Sequence, residues 1–134
     1  EYRPIHLNCA RPVGRFDFSN EFVQVFVALL PRIFRDAESF DGLIHQDHGL
    51  RCPGRELAPT LECVSNLPEW SAPDISTLAI WRSMDDQKAF SFCGRTHPPG
   101  MRRLANEIDR SQGPVFATWW ATKGEGITLE DGWQ

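Results

Sequence analysis

A chain of 134 residues is the size of one domain, and its 41% hydrophobic and 24% charged residues are those of a globular protein, which excludes wholesale disorder. The net charge is −4 and the 14 basic residues are scattered, with only Arg102 and Arg103 adjacent, so no basic stripe invites nucleic acid. No apolar run approaches the roughly 18 residues of a membrane helix.

Taken in chain order, Ile5 to Ala10 alternates, with Ile5, Leu7 and Cys9 on one face and His6, Asn8 and Ala10 on the other, which predicts a strand. Arg11 to Asp17 holds Pro12 and Gly14 and reads as a loop, after which Ser19 or Asn20 can cap a helix. Val23, Phe26, Val27, Leu30, Ile33 and Phe34 then recur at helical spacing, and Pro31 inside them predicts a kink or a new turn. Phe40 to Asp47 reads as a second strand, weakened by Gly42. Arg51 to Pro73 carries four prolines and reads as a long loop, a candidate lid. Ile75 to Trp81 is a third strand. Ser83 with Asp86 three residues on predicts a helix start; the helix runs through Phe92 with Ala89 and Phe90 on its buried side. Gly94 and the run His97-Pro98-Pro99-Gly100 break it, a second helical piece follows from Met101 to Arg110, and Val115 to Thr122 is the last strand.

The order β-α-β-β-α-β predicts a single α+β domain over 1–134 with a ferredoxin-like, four-stranded antiparallel sheet and helices on one face. Strands three and four are apolar on both sides: Ile75, Ala79 and Trp81 against Leu78 and Ile80, and Val115, Ala117 and Trp119 against Phe116 and Trp120. A sheet with one wet face alternates apolar and polar. A second copy of the sheet, making a homodimer, is the favoured cover, and the long loop with the tail is the alternative. Four irregularly spaced cysteines in a chain with its own core predict reduced thiols in a cytoplasmic protein, with a Cys52–Cys63 bridge left open. A chain opening on Glu1 is expected to be a trimmed or processed one.

The run Leu78-Ala79-Ile80-Trp81-Arg82-Ser83-Met84-Asp85-Asp86, then Ala89-Phe90, His97-Pro98-Pro99-Gly100-Met101-Arg102-Arg103, Phe116-Ala117-Thr118-Trp119-Trp120 and Gly126-Ile127-Thr128-Leu129-Glu130 resembles the DUF3291 family of the antibiotic-biosynthesis-monooxygenase-like superfamily. The likeness covers roughly residues 74–131 and fits the first strand loosely. It implies a dimeric α+β barrel with a pocket in each protomer between sheet, helices and loops. Cofactor-free monooxygenases of aromatic polyketides, cyclases, isomerases and some heme enzymes share that superfamily, so the resemblance does not select a reaction.

His97 leads the candidates for chemistry, since histidine alone titrates near neutrality and this one sits where a Gly/Pro-bounded break can aim it at a cavity. Its plainer role is capping or packing. His45, near Asp47 at the end of strand two, is a second candidate base, and His6 is pocket-eligible by alternation. Asn8 offers a strand-borne amide to a developing oxyanion. Trp81, Trp119 and Trp120 offer flat apolar area to an aromatic ligand, although core or interface packing accounts for at least one of the adjacent pair. Arg95 and Arg102 are candidates to hold a ligand oxygen. No zinc, phosphate-loop, dinucleotide or nucleophile-elbow motif is present, so neither metal nor cofactor is expected. These residues predict a cofactor-independent tailoring enzyme of secondary metabolism moving a proton on a small hydrophobic or aromatic substrate. The alternatives are a module that only binds such a ligand, and a heme enzyme.

Overall fold

Residues 2–10, 21–52, 55–57, 74–106, 108, 116–122, 127–129 and 131 are described by the structure, a computed structural model. They form β1 (Tyr2–Ala10), α1 (Glu21–Glu38), β2 (Leu43–Cys52), β3 (Arg55–Leu57), β4 (Asp74–Trp81), α2 (Met84–Cys93), α3 (His97–Leu104) and β5 (Phe116–Thr122). The sheet order is β3-β2-β4-β1-β5, with every neighbouring pair antiparallel. Strands β2, β4, β1 and β5 make the expected ferredoxin-like sheet. The addition is β3, a three-residue edge strand inside the stretch expected to be loop.

Strand β2 also departs from expectation. It starts at Leu43, after Gly42, and runs on to Cys52, because Leu50 pairs with both Ile75 and Leu57 and so holds the chain extended. The proposed lid therefore loses Arg51–Cys52 and Arg55–Leu57 to the sheet, and residues 53–54 and 58–73 lie outside the described residues, as do the capping candidates Ser19 and Asn20. Gly42 ends the α1–β2 turn so close to the Asp86 side chain that a Cβ there would collide with it. Helix α1 passes Pro31 as one element, with Pro31 exposed and Ile33, Phe34 and Ala37 turned toward the sheet.

Alternation along the strands builds two apolar layers. On the helix side, Trp81 stacks on Phe90 with ring centroids 5.3 Å apart, and Phe40 meets Phe90 edge-on at 5.6 Å. On the other side Ile5, Leu7, Leu78 and Ala121 are buried together with Leu129, and Ile127 packs against them. This part of the second face is thus covered by the chain's own tail, which was the alternative to a second copy. A partner is not needed to bury Ile5, Leu7 or Leu78. Fully burying one such side chain stabilises the fold by roughly 1.5–3 kcal/mol.

Candidate functional site

Between the sheet and the three helices lies a cavity of about 110 Å³. Its floor is the helix-facing row of the central strands: His6 and Asn8 from β1, and Thr77, Ala79 and Trp81 from β4. Register explains the grouping, since His6 pairs with Ala79 and Asn8 with Thr77, so the four share one patch. Ile33, Phe34, Phe90, Met101 and Leu104 supply apolar walls. No Asp, Glu, Lys or Arg among the described residues lines it.

His97 enters at the head of α3. Ser83 caps α2, accepting from the Asp86 N–H at 3.1 Å, and the helix ends at Gly94, whose N–H bonds the Phe90 carbonyl. Asp36 of α1 then accepts from both the N–H and the hydroxyl of Thr96, at 3.1 and 2.9 Å, fixing the start of α3. Pro98 and Pro99 fall in the first turn, where a missing N–H breaks no helical bond. The run expected to break the helices is therefore the beginning of the second one. In the same way Ala89, expected to face inward, is exposed, and Gln87 joins Phe90 on the buried side.

The His97 ring lies 5.1 Å from Phe90, and its Nδ1 is 3.0 Å from the Ser91 carbonyl oxygen. A carbonyl only accepts, so Nδ1 carries the proton and Nε2 keeps its lone pair. Burial pushes the His97 pKa below its ordinary value, against smaller upward pulls from the Ser91 carbonyl and Asp36. The ring is therefore neutral at pH 7 and basic at Nε2. His6 is more strongly affected: burial, then repulsion from His97, lower its pKa to about 4, while a hydrogen bond to Asn8 acts upward. Its Nδ1 is 2.8 Å from the Thr118 hydroxyl of β5, and its ring is 5.8 Å from Phe116.

Of the predicted residues, the fold brings His97, His6, Asn8 and Trp81 to one cavity. His45 does not reach it. A bulge between Leu43 and His45 shifts the register by one, so His45 pairs with Ile80 and is exposed, while Gln46 faces inward beside Ala79. Trp119 packs against the opposite core, and Trp120 is 54% exposed; neither lines the cavity. Arg95 and Arg102 are exposed and do not line the cavity. Thr118 was missed, and nothing in its local sequence pairs it with a residue 112 positions away. Among the described residues no group of three His, Cys, Asp or Glu is placed to hold a metal, and no helix is long and apolar enough to cross a membrane.

An antiparallel sheet of this order, with helices on one face over a small cavity, has counterparts among solved structures. SnoaB, a cofactor-independent oxygenase from Streptomyces nogalater, superposes with a TM-score of 0.53 at 9% identity, over 95% of this chain and 98% of that one. A mutant form of the same oxygenase gives 0.52 at 9% identity over 93% and 96%. A conserved protein from Methanosarcina mazei Go1 gives 0.51 at 16% identity over 90% and 93%. No curated protein matches the sequence. The family model for the domain of unknown function DUF3291 matches residues 6–134, and the chain belongs to that family.

Proposed function

We propose that the cavity is the active site of a cofactor-independent enzyme that removes a proton from an activated carbon of a small, uncharged, hydrophobic substrate. One observation carries this reading: His97 and Asn8 line the same apolar cavity, and the Ser91 carbonyl 3.0 Å from His97 Nδ1 takes the ring N–H, which leaves the lone pair on Nε2. In the step envisaged, Nε2 takes the proton from a carbon next to a carbonyl, and the C–H electron pair moves to the carbonyl oxygen, where Asn8 stabilises the enolate. Returning the proton to another carbon gives an isomer. Ring closure from the same carbanion gives a cyclisation, and its capture by molecular oxygen gives the reaction class named for SnoaB.

The proposal includes Trp81 as the flat surface beneath a ring, because it is buried in the cavity floor. A homodimer belongs to the same reading, supported by exposed Phe116 and Trp120 on β5; sedimentation velocity tests it. For the chemistry, phenylacetone in D2O is a direct probe, since its benzylic protons exchange through an enolate. Wild type should accelerate the exchange over buffer, and His97→Ala should lower that rate by about a hundredfold with an unchanged circular dichroism spectrum. Equal rates for the two proteins remove His97 from the mechanism and leave a module that only binds its ligand.

A further inference from the structure

Strand β2 turns Gln46, rather than His45, toward the helices, and Gln46 lines the cavity. Its side-chain amide is tied down at one end only. Nε2 donates to the Phe34 carbonyl and to Glu38 Oε1, each at 3.1 Å. Both acceptors belong to α1, so the end of that helix holds the amide in place. A backbone carbonyl and a carboxylate only accept, so this end of the amide is its NH2 group, and both of its protons are taken. The amide oxygen keeps its lone pairs, and no donor among the described residues reaches it. Resting on the function proposed above, we propose that Gln46 is a specificity-determining residue whose side-chain oxygen accepts a hydrogen bond from a hydroxyl group of the substrate.

Sheet register places that hydroxyl. Ala79 of β4 pairs with Gln46 on one side and with His6 on the other. Two strand spacings, about 10 Å, separate Gln46 from His6, and between them Ala79 raises the floor by only a methyl group. A six-membered ring spans this trough, with Trp81 two residues further along the same face of β4. Asn8 stands two residues from His6 on β1. With the substrate carbonyl at Asn8, as proposed above, the far edge of the ring meets Gln46. A hydroxyl there gains a hydrogen bond. A bare ring edge, or a group that only accepts, strips water from the Gln46 oxygen and returns nothing, which costs affinity.

Binding of three ketones to the protein, followed by NMR titration, tests this: phenylacetone, 4-hydroxyphenylacetone and 4-fluorophenylacetone. Wild type should bind the hydroxyl compound roughly tenfold more tightly than phenylacetone. The fluoro compound, similar in size but with no proton to give, should bind no more tightly than phenylacetone. Gln46→Met, which keeps the length of the side chain and loses its oxygen, should bind phenylacetone and the hydroxyl compound equally. Equal wild-type affinities for those two overturn the proposal, as do an equal gain from fluorine, a preference that survives in Gln46→Met, and failure of the hydroxyl compound to bind. The wild-type series decides even where Gln46→Met does not fold. Failure of the base reading has a separate signature: equal deuterium exchange in wild type and His97→Ala, with the hydroxyl preference intact in both.

Discussion

On the side of the sheet turned from the helices, Ile5, Leu7 and Leu78 close against Ala121 and Leu129. One residue along the same strands, His6, Asn8 and Thr77 look into a cavity. Strand alternation lets one backbone serve both, with one face filled for stability and the other left incompletely filled and lined with hydrogen-bonding groups. The contrast implies that substitutions on the first face are felt as stability and those on the second as binding or rate.

The largest effect should come from the filled face. Leu78 is fully buried, and Leu78→Ala should cost about 4 kcal/mol of unfolding free energy, read by denaturant titration. A loss below about 1 kcal/mol would mean that this face is not the packed one. Acid should strike the cavity face next. The folded pKa of His6, about 4, lies below its unfolded value of 6.5, so the unfolded chain binds more protons between those values. Stability contributed by the neutral ring is therefore present above pH 6.5 and lost as pH falls toward 4, by on the order of 3 kcal/mol. His48 and His97, also lowered by burial, act with the same sign. His6→Gln should flatten this slope when unfolding is measured at several pH values; an unchanged slope would mean that His6 is not a buried neutral ring.

Smaller effects probe the helical roof. Ser83→Ala removes the cap of α2 and should cost about 1 kcal/mol, visible as a lower thermal midpoint. Gly100 lies where α3 crosses α1, and a Cβ there would sit 3.5 Å from Ile33 Cδ1, an ordinary contact. Gly100→Ala should thus be tolerated and stabilise by up to about 1 kcal/mol through helix propensity. A marked destabilisation in the same melting experiment would show the roof to be as tightly packed as the opposite face.

Much of this division was legible in residue patterns. The alternation of β1 separated His6 and Asn8 from Ile5 and Leu7, and the Ser83–Asp86 spacing located the start of α2. What stayed hidden depends on partners distant in sequence. β2 extends through Gly49 because β4 and β3 pair with it, which outweighs a weak local preference for strand. His45 points outward because one bulge residue changes the face of everything after it. His97 opens a helix rather than interrupting one because Asp36, far away on α1, anchors Thr96. The partnership of His6 with Thr118 exists only once β5 lies beside β1.

The most direct test of the central claim is a crystal structure of the protein soaked with cyclohex-2-enone. The account predicts the ligand in the cavity, its carbonyl oxygen within hydrogen-bond reach of the Asn8 amide and its acidic carbon facing His97 Nε2. An enone bound only on the exposed Phe116–Trp120 surface, with the cavity between His6 and His97 unoccupied at saturating ligand, would contradict it.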